Sequence, residues 1–234
     1  MKIRRLALLA PLLISSACLA DDWPQWLGPQ RDGFWRESGL LEKFPESGPK
    51  ILWRAPIGGG YSGPSVAAGR VYVMDYQRTD GDPTPSAGAR QNLTGQERIV
   101  CLDATTGKEL WKVAYDCPYS VSYPVGPRCT VTIQDGKAYA LGTMGHFHCL
   151  DAETGKVIWG KDFTKDYGAE TPFWGYSSHP MVVGDKVITL LGTKKGVAVA
   201  FNKDTGAEVW RSLDASEVGY SPVNLTQAGG VSQL

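Results

Sequence analysis

Apolar and polar residues alternate along three similar stretches of the chain, each of which begins shortly after a proline. These stretches are "SVAAGRVYVMD" after Pro64, "CTVTIQDGKAYALGT" after Pro127 and "MVVGDKVITLLGT" after Pro180. Alternation that is rich in β-branched and aromatic residues predicts strands, and the "DG" and "GD" dipeptides predict tight turns. The chain lacks the 3.6-residue apolar period of the helical repeat architectures, which excludes them. Each stretch is therefore predicted to form two short strands.

A recurring phrase follows each predicted strand pair. It reads "CLDATTGKELW" at residues 101–111, "CLDAETGKVIW" at 149–159 and "AFNKDTGAEVW" at 200–210. Trp111 and Trp159 are 48 residues apart, and Trp159 and Trp210 are 51 residues apart. Because the phrase supplies two further strands, each unit holds four strands at a spacing typical of propeller blades. The predicted fold is all-β: a β-propeller of four-stranded antiparallel blades, about three with the start of a fourth, which makes a partial ring.

We interpret the phrase as scaffold and not as a chemical site. Its Asp or Asn ends a strand and can accept a backbone N–H of the following turn, with help from the Thr. Its Gly falls where a short hairpin needs a positive φ, and its Trp is placed to cover the gap to the adjacent sheet. The predicted structural positions are Asp103, Thr106, Gly107, Trp111, Asp151, Thr154, Gly155, Trp159, Asn202, Thr205, Gly206 and Trp210.

The pattern D-x-x-T-G-x-x-x-W resembles that of the pyrroloquinoline-quinone (PQQ)-like repeat propellers. Residues 103–111 and 151–159 match it in full, and the third copy has Asn202 in place of Asp. The opening "DWPQWLGPQRDG" at residues 22–33 is similar to the start of exported bacterial proteins of this type, planctomycete-type ones especially. The resemblance implies the fold but not one function. It covers PQQ-dependent alcohol and sugar-alcohol dehydrogenases as well as non-enzymatic propellers, such as the scaffold subunit of the outer-membrane barrel-assembly machinery.

Residues 1–20 are predicted to be a signal peptide. A basic start with Lys2, Arg4 and Arg5 precedes a short apolar run, and "SSACLA" offers cleavage after Ala20. The run is too short to span a bilayer. A lipid-modified Cys18 is the alternative interpretation. The prediction is an exported protein, periplasmic or secreted, with no transmembrane segment.

The remaining chain divides into an N-terminal segment and the blades. Residues 21–57 end in "KILWRAPI", which we expect to be a lone outermost strand that closes the ring, with Trp53 in the anchor position. The blades are predicted at residues 60–115, 123–163 and 176–213, with a partial blade at 219–234, inside which the sequence stops. Within the first blade, residues 76–97 are predicted to be a long polar loop, and none of the blades is predicted to contain a helix.

The charge balance bears on the classes of binding partner, and the cysteines bear on the redox environment. Lys plus Arg equals Asp plus Glu at 24 each, so nothing favours nucleic acid or an anionic membrane surface as a partner. Export into an oxidising space permits disulfides. Cys101 and Cys149 occupy equivalent repeat positions and are interpreted as buried core residues. Cys117 and Cys129 flank a link between two blades and could pair, although spacing does not fix connectivity.

Candidate chemistry is sparse in the sequence. His146 and His148 lie two apart on a predicted strand and share a face, and His179 is the only other histidine. A metal site wants three or four ligands, so we predict no metal-binding residues. The sequence has no haem-attachment, nucleophile-elbow, phosphate-loop or dinucleotide motif, so we predict no catalytic residues.

The resemblance implies a quinone site only for the dehydrogenases. Those relatives hold PQQ on the ring axis with a stacking Trp, a Ca²⁺ bound by Glu and Asn, a catalytic Asp and often a disulfide between adjacent cysteines. Trp174 either faces the axis or packs between blades, and we favour packing. No Ca²⁺ ligand or catalytic Asp can be matched, so the cofactor-binding residues stay unknown.

The expected function is a non-enzymatic binding or scaffold module without a cofactor. Its partner would be a protein or a small ligand on a propeller face. The alternative is a PQQ- and calcium-dependent dehydrogenase whose active site lies mostly in further blades.

Overall fold

The computed structural model describes residues 21–234, and the predicted signal peptide lies outside the described residues. Three four-stranded antiparallel sheets follow one another along the chain. The first contains β1 (Ser65–Ala67), β2 (Arg70–Asp80), β3 (Gln91–Asp103) and β4 (Glu109–Asp116), with β5 (Tyr119–Val121) paired to the start of β3. The second contains β6 (Thr132–Gln134), β7 (Lys137–Leu141), β8 (His146–Asp151) and β9 (Val157–Asp162). The third contains β10 (Met181–Val183), β11 (Lys186–Leu190), β12 (Lys195–Asn202) and β13 (Glu208–Asp214).

A final hairpin of β14 (Thr226–Ala228) and β15 (Val231–Gln233) begins a further unit. Within each four-stranded sheet, sequential strands are neighbours, and the first strands of adjacent sheets contact one another, β1 with β6 and β6 with β10. The first strands therefore converge on an inner edge while the fourth strands lie outermost. This arrangement confirms the predicted fold: blades of a partial β-propeller.

The hydrophobic core lies between the blades. Tyr72 and Ile99 of the first blade pack against Ala138 and Leu150 of the second in one cluster of buried side chains. A second, larger cluster joins blades two and three and is rich in aromatic rings. It includes Tyr139, Phe147, Trp159, Phe163, Tyr176 and Phe201. Because each interface is a separate cluster, neighbouring blades hold each other by nearest-neighbour packing.

The antiparallel order gives each blade two chemically different ends. Turns after the first and third strands share one end, and the turn after the second strand shares the other end with the exit from the fourth. The first is the repeat-turn end, formed by residues 104–108, 152–156 and 203–207. The second is the linker end, formed by the turns at 81–90, 142–145 and 191–194 and the linkers at 117–131, 163–180 and 215–225.

One local prediction is wrong. Residues 76–97 are not one long loop, because β2 and β3 stay paired from Arg70↔Asp103 to Asp80↔Thr94, and only residues 81–90 lie outside them. Buried Tyr76 and Leu93 anchor this extension, which brings polar Glu97 into a strand. A short helix, α1 (Phe163–Tyr167), also interrupts the second linker. Asp162 caps it by accepting from the Lys165 N–H, and Gly168 ends it in the left-handed conformation.

The N-terminal segment crosses the inner edge. Trp23 bridges Val66 on β1, and the Pro24 carbonyl accepts from the Ile133 N–H on β6. Arg31 then donates to the Pro180 carbonyl just before β10. Residues 50–57 form no strand, although Trp53 and Ala55 pack beside Val100 of the first blade. Their ring-closing role remains a prediction.

Candidate functional site

The repeated phrase builds one hydrogen-bonded turn three times. The Asp103 carboxylate accepts from the N–H and the hydroxyl of Thr106 at 2.7 and 2.8 Å. The Asp151 carboxylate makes the same two bonds to Thr154. The Asn202 amide oxygen repeats them at 3.0 and 3.1 Å to Thr205, so an amide serves where the pattern has an acid.

Each turn is also the receptor for a tryptophan of the preceding unit. The Trp53 indole N–H donates to the Ala104 carbonyl at 2.9 Å, that of Trp111 to Ala152 at 3.2 Å, and that of Trp159 to Lys203 at 3.1 Å. The three rings lie over the turn glycines, which have φ of 70°, 74° and 70° in Gly107, Gly155 and Gly206. A Cβ on any of these glycines would lie 2.5–2.7 Å from the ring. We call this contact the tryptophan joint.

Trp210 is the exception among the four anchor positions. Within residues 21–234 it meets no repeat turn, and it packs beside buried Met181 and the linker residue Val223. All repeat positions except the tryptophans themselves lie at the repeat-turn end, where the Asp, Asn and Thr side chains are hydrogen-bonded within their own turns. A buried polar cluster lies instead at the linker end.

A buried carboxylate lies at the linker end between blades one and two. Glu97 on β3 is fully buried. Its Oε1 accepts from the Tyr119 hydroxyl at 2.5 Å and from the Thr143 N–H at 2.8 Å. Its Oε2 accepts from the Tyr115 hydroxyl at 2.6 Å. Gly142 makes room for the group, since a Cβ there would lie 2.1 Å from Oε2.

A thiol and an imidazole complete this cluster. The Cys117 Sγ lies 3.7 Å from Nδ1 of His146, and the Nε2 of His146 faces Oδ2 of Asp162 at 3.7 Å. Burial, and secondarily Glu97, raises the pKa of the Cys117 thiol far above its usual range. One ligand atom each of Glu97, Cys117 and His146 lies within 4.8 Å of the others. We call these three residues and their contacts the Glu97 cluster.

His148 lies beside the cluster on the same strand. The ring of Tyr115 packs against both His146 and His148, with centroids 5.1 and 4.8 Å away. Burial, followed by the neighbouring His146, lowers the pKa of His148 to about 4. The Nδ1 of His148 is buried without a hydrogen-bond partner among the described residues. The sequence indicated that the two histidines share a face of the strand. It did not indicate that Glu97 and Cys117 lie beside them.

The cysteines take no part in disulfides within the described chain. Cys101, Cys117, Cys129 and Cys149 are all buried and free. A Cys117–Cys129 pair is not formed, because Cys117 faces His146 while the Cys129 Sγ donates to the Tyr176 carbonyl at 3.7 Å. The two cysteines thus serve different blade interfaces.

His179 belongs to a stack near the inner edge. Its ring lies on that of Trp26 with centroids 5.0 Å apart, and its Nδ1 accepts from the Thr130 N–H at 2.8 Å. The Arg31 guanidinium lies 5.5 Å from the centroid of the Trp26 ring. Burial lowers the pKa of His179 to about 4 and that of Arg31 to about 10. A cavity of about 290 Å³ opens beside this stack, lined also by Tyr61 and Arg128.

These residues do not fit an anionic quinone. Arg128 donates to the carbonyls of Ser122, Tyr123 and Gly126, and Arg31 donates to those of Pro180 and Val223. Both guanidinium groups therefore donate to main-chain carbonyls, while the Nε of Arg31 is buried without a hydrogen-bond partner among the described residues. The N-terminal segment itself occupies the inner edge of the three blades.

An exposed aromatic group lies elsewhere on the linker end. Trp174 is 45% exposed, so its ring is not buried between two blades within residues 21–234. It lies against Tyr220 with centroids 4.9 Å apart and beside Phe173 at 6.0 Å. Arg90 stacks on Phe173 at 5.5 Å and donates to the carbonyls of Ser120 and Thr171. We call Arg90, Phe173, Trp174 and Tyr220 the Trp174 surface.

A cavity of about 420 Å³ adjoins the Trp174 surface. Besides Arg90, Phe173 and Tyr220, its walls include two acidic and one basic side chain, Glu170, Glu217 and Lys194. It lies where the second linker, the third linker and the turn at 191–194 meet.

Comparison with solved structures supports the fold. A crystal structure of quinohemoprotein alcohol dehydrogenase from Comamonas testosteroni matches at 20% identity and a TM-score of 0.53, covering 81% of this chain and 27% of that one. BamB from Moraxella catarrhalis matches at 20% identity and a TM-score of 0.36, covering 67% of this chain and 50% of that one. This chain thus spans at most half the length of either structure. No curated protein matches it.

Two further observations concern the whole chain. No helix among residues 21–234 is long and apolar enough to cross a membrane. A family model described as outer membrane protein assembly factor BamB matches residues 95–230, more than half of the sequence. The repeat pattern, the blades and this match lead to one conclusion: the chain belongs to the PQQ-like repeat β-propeller family that this model defines.

Proposed function

We propose that this protein is an exported, non-enzymatic propeller that binds a protein partner through the Trp174 surface. The observation that carries the proposal is the exposed Trp174 ring held between Phe173 and Tyr220. Trp, Tyr and Arg are the residue types that dominate binding energy in protein interfaces. A family match to an assembly factor agrees with a scaffold role.

The Trp174 surface is organised before a partner arrives. Arg90 is fixed by two main-chain carbonyls from separate segments, at 2.6 and 2.9 Å. The Tyr220 hydroxyl accepts from the backbone N–H of Trp174 at 3.3 Å. The Tyr220 carbonyl accepts from the Ser177 hydroxyl at 2.8 Å. Side chains that are already fixed lose little entropy on binding, which raises affinity.

The chemistry of the surface defines the partner. The adjoining cavity of about 420 Å³ has apolar walls from Phe173 and Tyr220 and carries Lys194, Glu170 and Glu217. We infer a protein segment that inserts one apolar or aromatic side chain and places charged residues of both signs around it. Mixed charge on the walls favours specificity over general attraction, since a partner of one sign meets repulsion.

Site-specific photocrosslinking tests this proposal. A photoreactive phenylalanine analogue is placed at residue 174 and, as the matched control, at Leu110 on β4. The two positions are 45% and 46% exposed, so unspecific labelling is equal. We expect a discrete crosslinked protein from position 174 alone, and Trp174→Ala to abolish its co-purification while Leu110→Ala preserves it. Equal labelling from both positions would refute the Trp174 surface as the binding site.

A cofactor assay separates the scaffold from the dehydrogenase alternative. Because Arg31 and Arg128 are engaged by main-chain carbonyls, we expect no PQQ binding with a Kd below about 1 µM in the presence of Ca²⁺. Fluorescence titration followed by a dye-linked alcohol oxidation assay measures this. Tight binding with turnover would replace the scaffold proposal with the dehydrogenase.

A further inference from the structure

We propose that Glu97, Cys117 and His146 bind a divalent transition-metal ion, with Zn²⁺ the best match. This site is separate from the Trp174 surface and does not depend on the proposed function. It departs from the sequence-based prediction that the chain has no metal ligands. Four features of the Glu97 cluster carry the inference: geometry, ligand type, charge and outer support.

The geometry is that of a preformed site. Ligand atoms of the three residues all lie within 4.8 Å of one another. With Zn–S of about 2.3 Å and Zn–N of about 2.1 Å, a tetrahedral angle places sulfur and nitrogen about 3.6 Å apart. Cys117 Sγ and His146 Nδ1 are 3.7 Å apart. The sulfur and the nitrogen therefore already have the separation that a bound ion requires.

The ligand types select the metal. A thiolate, an imidazole and a carboxylate form a mixed set that suits Zn²⁺ and its neighbours in the first transition row. Ca²⁺ and Mg²⁺ prefer all-oxygen shells. The site therefore differs in kind from an oxygen-liganded calcium site.

Charge explains why the cluster needs a cation. Glu97 is fully buried, yet it forms no ion pair within residues 21–234. A buried carboxylate without a cation is costly. A divalent ion with the Glu97 carboxylate and the Cys117 thiolate gives a net charge of zero. On binding, the Cys117 S–H bond breaks, the sulfur lone pair goes to the metal, and the proton is released to solvent.

Outer contacts already hold the ligands in place. Glu97 Oε1 accepts two hydrogen bonds, whereas Oε2 accepts only that of Tyr115, which leaves Oε2 a lone pair for a metal. The Asp162 carboxylate faces the far nitrogen of His146 at 3.7 Å, which is longer than a hydrogen bond but lies on the side from which a carboxylate orients metal-bound histidines. His148 is not among the residues whose ligand atoms lie within 4.8 Å of one another, so a water molecule would complete four-coordination.

The site would join two blades. Glu97 and Cys117 belong to the first blade and its linker, and His146 begins β8 of the second. The metal would thus cross-link blades one and two at the linker end.

Cobalt substitution tests the assignment on the mature protein. Co²⁺ bound to a thiolate gives a ligand-to-metal charge-transfer band in the near ultraviolet, and tetrahedral Co²⁺ gives intense visible bands. We expect both bands to saturate at one equivalent and to be displaced by Zn²⁺. Cys117→Ser should remove the charge-transfer band. Cys129→Ser, a buried thiol that faces the Tyr176 carbonyl instead, should keep it.

A second variant tests the proposal even if Cys117→Ser does not fold. His146 is partly exposed, with 27% of its side chain accessible, so His146→Gln leaves the core intact. We expect it to weaken Zn²⁺ binding at least about tenfold, as loss of one ligand or its support does. Wild-type protein that shows no cobalt–thiolate band, or His146→Gln that binds Zn²⁺ as tightly as wild type, would overturn the proposal.

Discussion

Trp159 shows how one side chain joins two blades. Its ring is 8% exposed, it packs against Phe147 and Phe201, and its N–H donates to the Lys203 carbonyl. Removing it deletes an aromatic ring from the core, while the Lys203 carbonyl still accepts from the Tyr139 hydroxyl at 3.2 Å. Trp210 offers a matched comparison, because it lies at the same repeat position but meets no repeat turn within residues 21–234.

We expect Trp159→Ala to lower the free energy of unfolding by about 3–5 kcal/mol, the usual range for a buried Trp. Trp210→Ala should cost clearly less, since its ring is only half-buried. Urea denaturation of both variants measures this difference. If both variants lose the same free energy of unfolding, the contact with the repeat turn contributes no stability of its own.

The turn glycines allow backbone strain to be separated from contact. Gly155 and Gly136 have nearly the same φ, 74° and 71°. A Cβ at Gly155 would lie 2.7 Å from the Trp111 ring, whereas one at Gly136 meets nothing within 4 Å. Gly155→Ala should therefore cost about 1–3 kcal/mol more than Gly136→Ala, the range for overpacking. Thermal melts of the two variants test this difference. Equal Tm shifts would mean that the contact with the Trp111 ring adds no cost to the backbone strain.

His179 predicts a pH dependence of stability. Its pKa is lowered to about 4 by burial, whereas in the unfolded chain it titrates near 6.5. As pH falls from about 6.5 to 4, the unfolded state takes up a proton that the folded state does not, so the free energy of unfolding decreases. At about 1.4 kcal/mol per unit the loss is on the order of 2–3 kcal/mol.

His179→Asn provides the control for this dependence. Its side-chain oxygen can still accept from the Thr130 N–H, but the residue does not titrate. Urea midpoints measured between pH 6.5 and 4 should fall less steeply for the variant than for wild type. Parallel curves would assign the acid sensitivity to other groups.

At the scale of elements, the β2–β3 hairpin is fixed by an ion pair across the strands. Asp75 and Arg98 face each other in register, with Arg98 Nε donating to Asp75 Oδ1 at 2.8 Å. The carboxylate is nearly fully buried and also accepts from the Gly58 N–H at 2.5 Å. It therefore holds the N-terminal segment to the first blade as well.

Asp75→Asn should cost about 3–5 kcal/mol, because it leaves the mostly buried Arg98 charge without a counter-charge. The comparison is Glu109→Gln, which breaks the exposed pair with Lys112 and should cost less than about 1 kcal/mol. Chemical denaturation reports both values. A small loss for Asp75→Asn would show that solvent reaches Arg98.

The strands and turns were predictable because their signals are local. Alternation, the turn dipeptides and the repeated phrase each lie within about a dozen residues. The β2–β3 extension was not predictable, since residues 76–97 look polar and are held by burial of Tyr76 and Leu93 against residues distant in sequence. Because residues 76–97 were predicted to be a loop, Glu97 was not expected to be buried, and the Glu97 cluster was not predicted. Only the two histidines on β8 gave a signal.

At the scale of the whole molecule, the blade array was predictable from its period, whereas the path of the N-terminal segment was not. Its contacts with β1, β6 and Pro180 are one or two hydrogen bonds each to residues distant in sequence, which no sequence pattern encodes. The segment also carries large apolar side chains that are more than half exposed. They are Phe34, Trp35, Leu40, Leu41, Phe44, Ile51, Leu52 and Ile57.

We expect residues 21–234, expressed alone, to self-associate through this apolar surface. Light scattering should detect oligomers or aggregates. A Leu41→Glu/Leu52→Glu variant should shift the distribution towards monomer, because these side chains are 71% and 72% exposed and removing them costs little stability. A monodisperse wild-type monomer would show that the exposed side chains do not drive association.

The tryptophan joint has a consequence for how such a chain can grow. Each unit carries both halves of the contact, an acceptor turn and a donor Trp, and each donor Trp lies 41 to 51 residues before the turn that it binds in the next unit. A tandem duplication of any one unit therefore creates a new donor and a new acceptor together, whichever unit is copied. The joint is directional, so the added unit can dock in only one order. Gene duplication could lengthen the array without inventing a new interface, and later divergence would be free to act at the linker end.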